Sequence, residues 1–147
     1  MADVQRFLVR RAPFGKVRAH PFVVKGHARM HNDDRNGTYE ACVRSDYLAM
    51  YPDAEPYAGP VEVRIKAFFE IPKKWSKKKK QLAREGKIWP TVKYDADNLA
   101  KAICDALNGL AYIDDKQVVL LLTEKLYVTE EDGAPCSFVT IERRPQL

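Results

Sequence analysis

The chain has 147 residues and a formal net charge of +5; 46% of its residues are hydrophobic and 31% are charged. These values predict a single globular domain, residues 1–147, and exclude a collagen, a coiled coil and a wholly disordered chain. The longest aliphatic run, Val118–Leu122, is far shorter than the ~20 apolar residues that span a bilayer. Arginines interrupt the start of the chain, where a signal peptide would need an apolar stretch, so we expect a cytoplasmic protein.

The first half of the chain predicts three strands and one helix, because apolar residues recur there at strand or helix spacing. The predicted elements are, in order, two strands, a turn, a helix, a loop and a strand: Gln5–Arg11, Lys16–Ala28, Asn32–Gly37, Thr38–Met50, Pro52–Pro60 and Val61–Ile71. Thr38 is the expected N-cap of the helix. The last strand has the clearest alternation of apolar and polar residues, which is typical of a strand with one buried face.

The second half predicts two helices followed by two strands: Ser76–Gly86, Asp97–Asn108, Gln117–Val128 and Ser137–Arg143. Ser76 is the expected N-cap of the first helix, which is short and basic. The second helix carries an apolar stripe and stops at Asn108-Gly109. This order of elements indicates an α+β fold, a mixed β-sheet with helices packed on it.

The excess positive charge is confined to one segment, residues 73–93. This segment holds nine basic residues and one acid, a net charge of +8, whereas the rest of the chain has 16 basic and 19 acidic residues, a net charge of −3. Such a cluster is expected where a polyanion binds, although lysine runs also occur on solvated helix faces. Trp75 and Trp89 flank the run and favour a nucleic acid as the partner, because aromatic rings stack on bases.

Cysteine and histidine usage predicts neither a disulfide framework nor a zinc site. The three cysteines are odd in number and have no C-x-x-C spacing, so we expect buried reduced thiols at Cys42, Cys104 and Cys136. The three histidines lack companion ligands at the spacing of a zinc site.

Acidic residues cluster where the second helix begins and where the following turn ends. Asp95 and Asp97 lie at the helix start, and Asp97, Lys101 and Asp105 recur every four residues, so these three share one polar face. Asp114 and Asp115 follow the turn. Carboxylates that converge near a lysine suit Mg²⁺, which takes oxygen ligands and is usually held by one or two carboxylates, waters and a phosphate.

An ordinary structural role also explains each acid taken singly. Acids stabilise helix N-termini, Asp97 and Lys101 have the spacing of a helical ion pair, and Asp114-Asp115 suits a turn. Chain geometry limits a metal site shared by Asp97 and Asp115. The helix from Asp97 to Asn108 rises ~17 Å, and the seven residue steps from Asn108 to Asp115 span at most ~23 Å. Asp115 therefore reaches Asp97 only if this connection runs back nearly extended; otherwise two subunits share the site or Asp115 lies outside it.

Three motifs follow one another in this region, with basic motifs before them. The acidic motifs are Asp95-Ala96-Asp97-Asn98-Leu99 with Lys101, Asp105-Ala106-Leu107-Asn108-Gly109, and Asp114-Asp115-x-Gln117-Val118, followed by Lys125. The basic motifs are Ile71-Pro72-Lys73-Lys74-Trp75-Ser76-Lys77-Lys78 and, more weakly, Lys25-Gly26-His27-Ala28-Arg29. In this combination the chain resembles the RusA-type Holliday-junction resolvases, which are common in phages and prophages. Tyr94 departs from the family pattern, which often has a proline before the first aspartate.

The resemblance implies a RusA-like fold and a homodimeric, Mg²⁺-dependent endodeoxyribonuclease, with Mn²⁺ as a possible substitute, that resolves four-way DNA junctions in recombination and repair. Its catalytic residues match Asp95, Asp97, Asp115 and Lys101. Asp97 and Asp115 are then metal ligands, Asp95 is a further ligand or orients a water, and Lys101 stabilises transition-state charge. The expected DNA-binding residues are basic: Lys73, Lys74, Lys77, Lys78, Lys79, Lys80, Lys93, Lys25 and Arg29.

Two other functions remain open from the sequence. One is a non-catalytic protein for DNA binding or packaging that uses the basic segment alone. The other is a nuclease of the same chemistry that cuts flaps or forks. The residues do not distinguish junctions from these structures, and they indicate no covalent intermediate, because no Ser or Cys stands in a recognisable nucleophile arrangement.

Overall fold

The computed structural model describes residues 3–31 and 34–146, in which six strands and three α-helices occur. The strands are β1 (Val4–Val9), β2 (His20–Val24), β3 (His27–His31), β4 (Val61–Phe69), β5 (Val118–Tyr127) and β6 (Cys136–Arg143). The helices are α1 (Asp34–Met50), α2 (Lys77–Arg84) and α3 (Ala96–Leu107), and a 3₁₀ turn, Asp115–Gln117, precedes β5. The predicted α+β class is confirmed.

Four strands form the central sheet in the order β1-β6-β4-β5. β6 is antiparallel to β1 and β4, whereas β5 is parallel to β4 and lies at one edge. A parallel pair needs a crossover connection, and this one contains α2 and α3. The crossover therefore fixes α3 beside the edge strand β5.

One face of the sheet is buried under α1 and α3. Along β4 the buried side chains alternate with more exposed ones, as the period-two pattern predicted, and Val61, Val63 and Ile65 enter the main core. α3 contributes residues from most of its circumference, including Ala102, Ile103 and Leu107. Arg44 of α1 donates hydrogen bonds to two carbonyls at the end of α3, at 3.0 and 3.2 Å, so α1 and α3 are held together.

The predicted strand Lys16–Ala28 is wrong in part, because the chain forms a hairpin there. β2 and β3 pair antiparallel around a turn at Lys25 and Gly26, whose φ angles are +49° and +78°. Glycine adopts such angles without a steric penalty. Residues 16–19 lie outside both strands. The described hairpin residues 21–30 are exposed on both faces, so the hairpin projects from the main sheet.

The turn predicted at Asn32–Gly37 is wrong over residues 34–37, which begin α1; Asn32 and Asp33 lie outside the described residues. Thr38 is therefore not the N-cap but a residue inside the helix, where its hydroxyl donates to the Asp34 carbonyl at 3.2 Å. Tertiary contact outweighs the weak helix propensity of Asn and Gly here, since the buried Asn36 hydrogen-bonds the backbone of Val17.

The remaining elements follow the sequence pattern closely. Ser76 caps α2 as predicted, since its hydroxyl accepts the Lys79 N–H at 3.2 Å. A smaller apolar cluster joins α2 to the sheet and to α3 through Ala83, Phe69 and Leu99. The three cysteines are free thiols; Cys104 is buried, and the other two are half-buried. None of the helices in the described ranges is long and apolar enough to cross a membrane.

Candidate active site and nucleic-acid surface

The candidate site begins at the N-terminus of α3. Asp95 is the N-cap residue, with extended backbone angles, but its carboxylate makes no capping hydrogen bond. Asp97 is in the first turn, and both aspartates are exposed. The carboxylate of Asp95 is thus not used to cap the helix, which was the ordinary structural role open to it.

Asp97 and Asp115 line one cavity of about 250 Å³ that runs along α3, together with Lys101, Cys104 and Leu121. We call it the acidic cavity. The chain therefore turns back along the helix, as the reach argument required for a site within one subunit. The 3₁₀ turn before β5 carries Asp115 to this position. Asp95 is not among the residues that line the cavity.

The adjacent residues Asp114 and Asp115, at the 3₁₀ turn before β5, have different roles. The Asp114 carboxylate accepts the Lys116 N–H at 2.9 Å, and this hydrogen bond lowers the pKa of Asp114. The Gln117 side chain accepts two backbone N–H groups, each at 2.9 Å, and donates to two carbonyls of the loop before β4. Asp114 thus forms the turn, while the neighbouring Asp115 lines the cavity.

Negative charge accumulates around this cavity. Burial raises the pKa of the Asp115 carboxyl, and the nearby Asp105 carboxylate and a hydrogen bond with Asp114 raise it further, while Lys101 acts in the opposite direction. A bound cation would relieve this repulsion. Proteins usually supply one or two carboxylates to a Mg²⁺ ion, and water molecules and a phosphate provide its other ligands. The two carboxylates on this cavity match that number.

The three predicted ligands do not form a ready-made three-carboxylate cluster. Within residues 3–31 and 34–146, no group of three or more His, Cys, Asp or Glu side chains is arranged to hold a metal ion. The fit to Mg²⁺ therefore rests on Asp97 and Asp115, while Asp95, two residues before Asp97, lies outside the residues that line the cavity.

The sequence suggested a helical ion pair between Asp97 and Lys101, but Lys101 pairs with Asp105 instead, one turn further along α3, with 3.1 Å between Nζ and Oδ1. Lys101 remains 59% exposed. It lines not only the acidic cavity but also a larger one of about 780 Å³, which reaches Lys16 and Glu40. Sequence reasoning missed Lys16 and Glu40, because no motif or spacing connects them to residues far along the chain.

Aromatic packing sets the position of the first turn of α3. The ring of Tyr94, directly before Asp95, lies 5.4 Å from the ring of Phe14, which is 5.4 Å from the ring of Tyr39 on α1. The backbone passes Tyr94 so closely at Gly15 that an added Cβ would stand 2.7 Å from the Tyr94 side chain. The backbone at Gly15 therefore limits the positions that the Tyr94 side chain can take.

The predicted DNA-binding residues are exposed, with the exception of Lys80, which is half-buried. Lys73 and Lys74 lie in the turn before α2, Lys77, Lys78 and Lys79 on α2, Lys93 before α3, and Lys25 and Arg29 on the hairpin. The apolar cluster of α2 also includes Tyr94 and Leu99, so the basic helix stands next to the start of α3.

Only one of the two tryptophans that flank the basic segment presents an open ring. Trp75 packs edge-to-face on Tyr127 at 5.3 Å between centroids, and the Lys79 ammonium lies 3.9 Å from its centre. Trp75 is therefore a structural residue of the small cluster, contrary to the stacking role predicted for it. Trp89 is 59% exposed and remains open to a base.

Comparison with known proteins gives two matches. A sequence profile for the family described as "Endodeoxyribonuclease RusA" matches residues 12–136. "Uncharacterized protein YqaN" of Bacillus subtilis (strain 168) is 34% identical over 130 residues, which cover 87% of this chain and 91% of that protein. The profile match spans both the acidic cavity and the basic segment.

Two glycine-to-alanine substitutions are expected to change stability in opposite directions. Gly15→Ala should lower the free energy of unfolding by about 1–3 kcal/mol, because the new Cβ overlaps Tyr94. Gly37→Ala should raise it by about 0.5–1 kcal/mol, because this helical position has nothing within 4 Å and alanine is the better helix former. Urea denaturation measures both, and equal effects would contradict the close contact at Gly15.

Proposed function

Because the chain belongs to the RusA endodeoxyribonuclease family, we propose that it is a Mg²⁺-dependent enzyme that resolves four-way DNA junctions by hydrolysis of phosphodiester bonds. The observation that supports this most is the meeting of Asp97, Lys101 and Asp115 on one cavity, next to the basic helix α2. In this proposal, the acidic residues bind the cation at the scissile phosphate, and the basic residues bind the backbone of the same DNA molecule.

Asp97 and Asp115 are the proposed metal ligands, and the exposed Asp95 would complete the set or orient the attacking water. When bound, Mg²⁺ or Mn²⁺ would neutralise charge on the scissile phosphate and lower the pKa of a water molecule. The raised pKa of Asp115 reflects burial and neighbouring carboxylates, which is the environment that a cation stabilises.

Lys101 is the proposed catalytic lysine. Lys101 lines the acidic cavity, and its side chain is exposed enough to meet a phosphate. As the phosphate gains negative charge in the transition state, a lysine at this position would stabilise it more strongly than in the ground state.

Direct attack by water, rather than by an enzyme nucleophile, fits the chemistry of the cavity wall. Cys104 is among the residues that line the acidic cavity, but burial raises the pKa of its thiol to about 11. This thiol is therefore protonated and unreactive at neutral pH.

A homodimer is the proposed assembly, because a junction with approximate two-fold symmetry is matched by a two-fold dimer with one site for each of two strands. The edge strand β5 supports this proposal. Its side chains Val119, Leu121 and Leu122 are 55%, 47% and 52% exposed, which is a hydrophobic edge of the kind that a partner covers. Leu121 also lines the acidic cavity, so a partner on β5 would lie beside the site.

The non-catalytic DNA-binding function has less support than a nuclease function. A protein that only binds DNA needs no acidic cavity beside its basic surface, because carboxylates repel phosphates. The flap or fork nuclease differs from the proposal in substrate alone, and cleavage assays that compare junction, flap, fork and duplex DNA distinguish them.

Asp97→Asn tests the nuclease function. The fold should survive, since changes in the first turn of a helix cost only ~1 kcal/mol, while junction cleavage in Mg²⁺ should fall by orders of magnitude because a cation ligand is lost. Junction affinity in EDTA should stay the same or increase, because one negative charge is removed. A folded variant that cuts at the wild-type rate would remove the acidic cavity from the mechanism.

Replacement of Lys77 and Lys78 by alanine tests the basic surface. Junction affinity should fall, and its log–log salt dependence should flatten by about 0.9 for each phosphate that the protein no longer neutralises. Lys66→Ala is the matched control, since Lys66 is an exposed lysine on β4, outside the basic segment. Equal effects of the two changes would show that α2 is only a solvated helix face.

Leu122→Glu tests the proposed dimer surface. A charge on the exposed edge strand should weaken dimerisation at least about tenfold in sedimentation experiments, because the carboxylate would be desolvated in the interface. Leu48→Glu provides the control at an exposed leucine on α1. A wild-type protein that is monomeric both alone and on junction DNA would contradict the homodimer.

A further inference from the structure

A short segment between β1 and β2 is fastened to both α1 and α3. The backbone N–H of Lys16 donates to the Asn98 carbonyl of α3 at 2.8 Å. The buried amide of Asn36, on α1, accepts the Val17 N–H at 2.8 Å and donates to the Val17 carbonyl at 2.7 Å. These bonds fix the backbone at the point where the Lys16 side chain leaves it.

The Lys16 ammonium stands between two carboxylates from different helices. It lies 2.6 Å from Glu40 Oε1 of α1 and 3.2 Å from Asp105 Oδ2 of α3. The Lys16 and Glu40 side chains are 25% exposed and that of Asp105 is 19% exposed, so solvent screens the three groups only in part. Burial lowers the pKa of Lys16, but its bonds to the two carboxylates outweigh this effect, so the lysine is charged.

The two oxygens of Asp105 have different partners. Oδ2 faces Lys16, while Oδ1 lies 3.1 Å from the ammonium of Lys101. A lysine as exposed as Lys101 would otherwise sample many rotamers, since its long side chain has several freely rotating bonds. A carboxylate anchored at one oxygen therefore gives the ammonium of Lys101, a residue that lines the acidic cavity, a fixed partner.

We propose that Lys16 is a positioning residue: it anchors Asp105, and through Asp105 it sets the position of the ammonium of Lys101, which lines the same cavity as Asp97 and Asp115. The chain of ion pairs is Glu40–Lys16–Asp105–Lys101. The catalytic part of this inference rests on the proposed nuclease function, whereas the structural part, the ordering of Lys101, does not.

Direct phosphate binding by Lys16 is the competing role, and the contacts disfavour it. Its ammonium is already paired with two carboxylates, so its charge is offset before any DNA arrives. Loss of Lys16 should therefore alter the rate of cutting more than the affinity for DNA. Without Lys16, the Asp105 carboxylate would lose the partner of its Oδ2 and would no longer hold the Lys101 ammonium in one position.

The test compares Lys16→Met, which keeps the length but removes the charge, with Lys16→Arg, which keeps the charge, and with Lys66→Met on β4 as the matched control. The first measurement is the NMR order parameter of the Lys101 ammonium in protein with ¹⁵N-labelled lysine, without metal or DNA. The second is the single-turnover cleavage rate of bound junction DNA in Mg²⁺, with junction affinity measured in Ca²⁺.

Lys16→Met should make the Lys101 ammonium more mobile and lower the cleavage rate about tenfold, with less than a twofold change in affinity. Lys16→Arg should restore most of both properties, and Lys66→Met should change neither. In a Lys101→Ala background, Lys16→Met should change the residual rate less than twofold, because the residue through which it acts is absent. If thermal melting shows that Lys16→Met does not fold, Glu40→Gln weakens the same anchor and is measured instead.

Unchanged mobility of Lys101 in the Lys16→Met variant would overturn the proposal, and so would an equal loss of rate with and without Lys101. A loss of affinity that matches the loss of rate would assign Lys16 to phosphate binding instead. If the wild-type protein cuts no branched DNA, the proposed function fails, but the NMR comparison still decides whether Lys16 orders Lys101.

Discussion

The burial of α3 against the sheet is the constraint on which the rest of the site depends. Seven of its twelve residues are buried, so only a narrow line of polar positions is left along the helix. Asp97, Lys101 and Asp105 occupy that line at a spacing of four residues. Because the rest of the helix is packed in the core, the backbone of α3 cannot shift. The relative positions of these three residues are therefore fixed by the packing of the helix.

The partly buried charges along this line are satisfied by neighbouring elements. Asp105 would be costly to bury without a partner, and Lys16 and Lys101 each take one of its oxygens. Lys16 is in turn shared with Glu40 of α1. The ion pairs therefore link the segment before β2, α1 and α3 at the candidate site, in addition to the apolar contacts of the core.

The parallel pairing of β4 and β5 determines what else reaches α3. The crossover needed for this pairing carries the basic helix α2 to the start of α3 and returns the chain along α3 to the start of β5. Acidic and basic regions, which repel and attract DNA respectively, thereby become neighbours. In the proposed function, this juxtaposition would let the basic surface bind the DNA backbone while the acidic cavity binds a cation.

The sequence by itself determined the elements whose signals are local. The alternation in β4, the Ser76 cap and the apolar stripe of α3 predicted the α+β class and the polar line of Asp97, Lys101 and Asp105, because these patterns depend only on spacing along the chain. Only the tertiary structure decided that Asp115 shares a cavity with Asp97, that Trp75 packs on Tyr127, and that Asn36 lies in a helix rather than a turn. It also brought Lys16 and Glu40 to Asp105. Each of these outcomes depends on contacts between residues far apart in sequence, whose packing energy outweighs local preference and leaves no periodic trace in the chain.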